Sequence, residues 1–413
     1  MKSIIKNKNL SFSILCFIIL IIKFVANFDF QPDYPYVNGI VPYVLSYKYS
    51  GFGTRMLLGS IISLFTNYIS IQQIYFISFI MHIAFFVIFS VILYFTLNKT
   101  IHDNQSKLHC IVLLLILFPY CAMMGGRFIL FTDEIMLLFA LISLIIIYNV
   151  SFKYMFIVIF SIAFGLLIHT TFAFMFLPLI IICLLYKLMI ISSINCKQVI
   201  LYIALFVTIV ISIFIYLFFF SKNHINIEEL VNVIETHTDY GNHQGVLDFF
   251  NFEYNMSLIE RFNSSTLVIY SNPNILIQLV LTIILDLIVY MNFVKVYYCA
   301  YKIANNYHRK VIYLLSILVY FSFLPLIIGC DIKRWLDAAM ISQFLLLIFY
   351  IINNDECITK AISNCILNSN KYYYYFVLVL FAIFNIDNNL FFNGLIGKFC
   401  SMAKLILCGQ VIR

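Results

Sequence analysis

Three short segments of this 413-residue chain set ionisable side chains against long apolar runs. The first carries Asp29 and Asp33, then Ser50-Gly51-Phe52-Gly53-Thr54-Arg55, with Gly59 about one turn further on. Two carboxylates there can take a proton from an acceptor hydroxyl or hold a cation. The glycines let backbone amides approach a phosphate, and Arg55 adds charge at a helix start. The second segment is Gly125-Gly126-Arg127, followed by Thr132, Asp133 and Glu134, two acids that call for an arginine partner from elsewhere. The third is Gly329-Cys330-Asp331-Ile332-Lys333-Arg334-Trp335, with Asp337 close behind. His169 stands between two apolar halves in Ile168-His169-Thr170-Thr171. It suits hydrogen-bonded packing and, equally, proton transfer or phosphate contact. His82 and Asp286 are isolated in mid-run and read as interhelical hydrogen-bonding groups.

Arginine grips phosphate through paired N–H groups, so Arg55, Arg127 and Arg334, with Lys333 beside the last, point to a phosphate or pyrophosphate ligand. Ionisable groups next to spanning runs are costly, which makes each a functional candidate. The plainer readings are that Arg55 snorkels to the interface, that Arg127 joins a structural ion pair, and that acids are tolerated in an outer loop. Trp335, the single tryptophan, is explained by interfacial anchoring alone. No Walker A, HExxH or GxSxG motif occurs. The eleven cysteines form no CxxC or Cys/His ligand spacing, so no metal site is indicated.

The elements that must position these residues follow from composition. Hydrophobic residues make up 63% and charged residues 10%, with mean hydropathy +1.01. A soluble fold so apolar would have no surface to show to water, whereas lipid can solvate it. Apolar runs fall near 11–27, 73–97, 109–124, 128–148, 154–168, 170–187, 198–220, 274–298, 311–328, 336–352 and 372–389. The fold class expected is all-α: a polytopic transmembrane bundle of about 10–12 spans, some short or re-entrant, forming one transmembrane domain over 1–413. The pair 154–168 and 170–187 is one bent element or two tilted helices, and 390–413 is an interfacial helix or a short last span. Lys2, Lys6 and Lys8 precede the first run, which lacks a small-x-small cleavage site, so an uncleaved helix is favoured over a signal peptide.

Basic residues set the orientation. Lys99, Lys107, Lys153, Lys187, Lys197, Lys302, Arg309, Lys310, Lys360 and Lys371 fit one side, with the N-terminus cytoplasmic in an inner membrane. The other side receives a first exterior loop, 28–55, and a large acidic exterior loop, 221–273. Alternation of sides fails only if 56–70 crosses, so that run is re-entrant or interfacial unless one basic loop breaks the rule. Within 221–273, Leu230, Val233, Ile234, Leu247, Phe249 and Phe250 suggest short amphipathic helices that lie on the membrane surface or cap a cavity. The net charge of +7 is scattered at helix ends and does not indicate nucleic-acid binding.

In whole-chain layout, with acids after the first helix, outward arginine and histidine, and a large loop at 221–273, the sequence resembles bacterial envelope polysaccharide enzymes. It looks like the O-antigen and capsule polymerases (Wzy type) and the GT-C class of lipid-carrier glycosyltransferases. The resemblance implies sugar transfer or polymerisation from an undecaprenyl-type lipid-linked saccharide, with membrane lipid around it and polysaccharide assembly proteins as partners. It implies phosphate contacts at Arg55, Arg127 and Arg334, assistance from His169, and a base at Asp29 or Asp33. Asp331 joins these as a further catalytic candidate, and Lys333 as a further phosphate contact. No cofactor is required, since arginines can stabilise a phosphate leaving group, and a divalent cation is compatible. The competing readings are a transporter or flippase for an anionic or lipid-linked cargo, and an assembly protein without chemistry.

Overall fold

The computed structural model describes residues 2–27, 37–50, 55–99, 132–149, 156–192, 194–217, 226–251, 273–317 and 332–367, plus a few isolated positions. Among these residues every regular element is helical. Helices Ile71–Lys99 and Lys197–Ile215 are long and apolar enough to cross a membrane, and a third candidate arises if the bent pair Ala338–Ile352 and Glu356–Cys365 counts as one span. Their outward residues are large and apolar, among them Phe76, Val87, Phe95, Leu201 and Leu205, as lipid contact requires. The described chain is thus all-helical and built for membrane association.

Two long helices frame the interior. Helix α1 (Lys2–Asn27) runs antiparallel to a later helix, α5 (Ile71–Lys99), and the Asn9 side-chain amide donates to Asn98 Oδ1 (3.0 Å) where the start of one meets the end of the other. The first turn of α5 is fixed by a capping box, in which Ser70 and Gln73 exchange side-chain and backbone hydrogen bonds. Between them lie three short helices, α2 (Val37–Val44), α3 (Tyr47–Ser50) and α4 (Leu57–Ile62). The six residues of α4 extend only about 9 Å, far too little to cross a bilayer. Instead α4 folds back on α2. A Cβ on Gly59 would fall 2.0 Å from the Leu45 carbonyl oxygen, so only glycine permits this approach. The run 56–70 therefore contains no helix long enough to cross a bilayer.

Helix α6 (Asp133–Asn149) runs beside α5, and α7 (Ile157–Ile168) returns along it, with Ser143 and Ser161 hydrogen-bonded between the two (2.9 Å). The next element is broken. Residue 169 is extended (φ −161, ψ 132), a four-residue α8 (Phe172–Met175) follows, and Pro178 resets the chain into α9 (Leu177–Tyr186) with a π-turn over 187–191. In 154–187 the described chain thus forms two apolar helices separated by the 169–176 interruption. Then come α10 (Cys196–Ile215), two short helices α11 (Ile227–His237) and α12 (His243–Phe250), a long α13 (Pro273–Ile303), α14 (Tyr307–Ile317), α15 (Ile332–Ile352) and α16 (Glu356–Ile362).

The 120° bend between α15 and α16 is pinned by a buried carboxylate. Asp355 caps α16 through Ile358 N–H (2.9 Å) and accepts from the Tyr186 hydroxyl (2.6 Å), the Tyr313 hydroxyl (2.8 Å) and Arg309 (3.3 Å). Three helices, α9, α14 and α16, thereby share one carboxylate. This end also gathers Lys99 and Lys187. The opposite end carries 37–50, 55–70, the 169–171 break and α11–α12.

Candidate functional site

Arg55 stands where the α2–α4 segment meets the break after α7. It is one of two non-glycine residues with positive φ among those described (φ 66), a left-handed geometry that costs an ordinary side chain about 1–3 kcal/mol. Two contacts hold it there. Its backbone N–H donates to the Leu167 carbonyl (3.0 Å), one of the acceptors that the end of α7 leaves unused. Its guanidinium Nη2 lies 2.7 Å from His169 Nε2.

That contact fixes the state of the histidine. Guanidinium nitrogens only donate, so Nε2 must keep its lone pair, and His169 is neutral while it holds Arg55. On the other side of the ring, Nδ1 lies 2.9 Å from Thr171 Oγ1 and 3.1 Å from the Thr171 backbone nitrogen, whose N–H points at it. The Thr171 hydroxyl donates to Met136 Sδ at 3.6 Å. The contacts run from Arg55 through His169 and Thr171 to Met136. Gly165 supports the turn from below: His169 N–H donates to its carbonyl (3.0 Å), and the Phe172 ring occupies the space a Cβ would need.

A second buried polar pair lies at the start of α6. Glu134 Oε1 is 2.8 Å from His82 Nε2, and both side chains are almost fully enclosed. His82 Nδ1–H donates to the Ser78 carbonyl (2.8 Å), and the Phe24 ring stacks on the imidazole at 4.6 Å. With Nδ1 protonated, the pair needs one more proton, on either Nε2 or the carboxyl. In both arrangements its net charge is zero, the condition under which ionisable groups survive at membrane depth. Glu134 and Asp133 also occupy the first turn of α6, where the helix dipole favours negative charge.

Helices α11 and α12 cover this end. Leu230, Val233 and Ile234 of α11 and Val246, Phe249 and Phe250 of α12 are buried against α2 and α3. The Tyr49 hydroxyl meets His237 Nε2 (2.9 Å), Asp239 accepts from Ile71 N–H at the head of α5 (2.7 Å), and the Phe249 ring lies 5.6 Å from the guanidinium carbon of Arg55. The amphipathic stretches expected in 221–273 are therefore a lid over Arg55 within the described part, 226–251.

Of the residues singled out in the sequence, Arg55 and His169 come into direct contact. Asp29, Asp33, Arg127 and Asp331 lie outside the described residues. Lys333 and Arg334 fall in the first turn of α15, and Asp337 one turn on, with their side chains outside the description. Asp286 lies in α13 on the same terms. Among the described residues Glu134 takes a histidine, His82 of the neighbouring α5. Trp335 is buried (6% exposed), so it packs inside the protein and does not anchor an interface. His82 and Glu134 were both visible as ionisable groups in apolar runs, but nothing in either run names the other as its partner. Among the described residues no three His, Cys, Asp or Glu side chains gather as a metal site would need. Comparison with family models, with curated proteins and with solved structures finds no match to this chain.

Proposed function

We propose that this chain is a polytopic inner-membrane glycosyltransferase or polymerase that uses a polyprenyl (pyro)phosphate-linked sugar donor. On this reading the helices form a bundle of about ten to twelve spans with a cytoplasmic N-terminus, and the Arg55 end faces outward. The observation that carries the proposal is the Arg55–His169 contact under the α11–α12 lid: a strained arginine, aimed by a neutral histidine, at a helix break. Backbone irregularity at such depth is tolerated where it lines a cavity or is buried in protein.

The chemistry follows from charge. As the sugar C1–O bond to the donor phosphate breaks, negative charge grows on the leaving phosphate, and Arg55 stabilises it. A new bond forms between C1 and an acceptor hydroxyl oxygen, and the hydroxyl proton passes to a base, with Asp29 and Asp33 as candidates. His169 acts through Arg55 as a positioning residue, since its Nε2 is engaged by the guanidinium.

The test uses purified protein in nanodiscs with a polyprenyl pyrophosphate-linked saccharide, scoring new glycosidic bonds. Arg55→Ala should lower turnover about 100-fold or more, the scale of losing one charge-stabilising donor. His169→Gln, whose amide oxygen can still accept from Arg55, should retain more activity than His169→Ala. Unchanged surface polysaccharide in a deletion strain carrying alanine at Arg55, Arg127 and Arg334 would overturn the proposal.

One observation favours a transporter as the second reading. The α7–α8–α9 break and the 120° bend at α15–α16 are interrupted helices of the kind that surround transported ligands. Cargo movement in proteoliposomes without a new glycosidic bond would decide for it.

A further inference from the structure

At the end of the bundle remote from Arg55, a cleft of about 420 Å³ opens between the last turns of α5, α6 and α15. That size lies within the range of specific ligand pockets, roughly 300–1,000 Å³. Its floor is buried and aliphatic or aromatic: Leu144, Leu345, Ile348 and Phe349. Its lips, Val91, Phe95 and Ile145, are about half exposed and face outward between the helices. From Val91 to Lys99 the cleft follows α5 for about 12 Å, close to the depth of one leaflet. The walls are therefore suited to a hydrocarbon chain.

The mouth is of a different character. Lys99 and Lys187 both sit over the Tyr148 ring, each with its ammonium 5.9 Å from the ring centre. Each ammonium makes one hydrogen bond to a helix-end carbonyl, Lys99 to Ile352 (2.6 Å) and Lys187 to Tyr148 (2.7 Å). An ammonium has three donors, so two remain on each. Neither lysine has a carboxylate partner among the described residues. Two cations over one aromatic ring, at the polar end of an apolar slot, match a molecule with an anionic head and a hydrocarbon tail.

We propose that this cleft binds an acidic phospholipid, with its phosphate between Lys99 and Lys187 and one acyl chain along Val91, Phe95, Ile145 and Ile348. The site is separate from Arg55 and does not depend on the proposed transferase activity. A bound lipid would bridge α5, α6 and α15 where no described side chain fills the gap between them.

The test is thermal unfolding and native mass spectrometry of the delipidated full chain in mild detergent. The probes are phosphatidylglycerol, phosphatidylcholine of the same chain length, and soluble glycerol phosphate. Phosphatidylglycerol should raise Tm and bind in about one copy, and the other two should do neither. Lys99→Gln with Lys187→Gln should weaken phosphatidylglycerol binding about tenfold or more, and the double arginine variant should restore it. Ile145→Trp, at an exposed lip, should block the chain slot without burying a polar group. This variant keeps the proposal open to refutation if the lysine variant misfolds. Equal binding of phosphatidylcholine, an equal shift with glycerol phosphate, or phosphatidylglycerol binding unaltered in Ile145→Trp would each overturn it.

Discussion

A buried carboxylate and a buried imidazole that share one proton behave unlike either alone. Removing one partner strands the other in a medium that cannot solvate it, at a cost of about 3–5 kcal/mol, whereas removing both can be nearly neutral. His82→Leu and Glu134→Leu are each expected to lower the thermal stability of the detergent-solubilised protein sharply, and the double variant to recover most of the loss. Additive losses in that cycle would mean that the 2.8 Å contact contributes nothing. The same logic separates His169 from His82. His169 faces a permanent cation and must stay neutral to hold it, whereas His82 faces an acid and can take either form. Residue type alone showed both histidines as costly groups in apolar runs. Which ring nitrogen is used, and toward what charge, depends on helices brought together from distant parts of the chain.

At the scale of elements, the α7–α9 region is held in its broken form by small residues as much as by polar ones. A Cβ on Gly165 would lie 2.5–2.8 Å from three Phe172 ring atoms, and Phe172 is fully buried with nowhere to move. Gly165→Ala should therefore destabilise by about 1–3 kcal/mol, read as a lower unfolding midpoint, and should loosen the turn that presents His169. Gly241→Ala is the matched control, because its added Cβ meets nothing within 4 Å, and it should leave the midpoint unchanged. The break itself was legible as a single polar residue between two apolar halves. The α15–α16 bend was not, because the Asp355 cluster draws Tyr186 from α9 and Arg309 and Tyr313 from α14, and each looks ordinary in its own segment.

For the whole molecule, the described contacts sort the chain into two chemically distinct ends. One gathers Lys99, Lys187, Lys197, Lys302, Arg309, Lys310 and Lys360, and the other Arg55, the His169 turn and the acidic lid helices. The sidedness expected from the basic residues would put these two ends on opposite faces of the membrane, which labelling can check. In a cysteine-free background, cysteines at Asn67 and Asn251 should react with an impermeant maleimide in intact spheroplasts. Cysteines at Asn149 and Asn306 should react only after the membrane is opened. Labelling of Asn67 and Asn306 from the same side would refute the arrangement. Composition identified a membrane chain at once; the lid over Arg55 and the lipid-sized cleft arise from packing between helices, which apolar periodicity does not encode.

The neutrality of the His82–Glu134 pair has an electrical consequence. A lone charge carried across the bilayer does work of about 2.3 kcal/mol for each 100 mV. A proton passing between Glu134 and His82 moves at most 2.8 Å, about a tenth of a hydrocarbon core roughly 30 Å thick, so the field can contribute only about 0.2 kcal/mol per 100 mV. This pair, the most fully enclosed of the ion pairs described, is therefore almost blind to membrane voltage. It keeps the same energetic balance in an energised cell and in a depolarised vesicle.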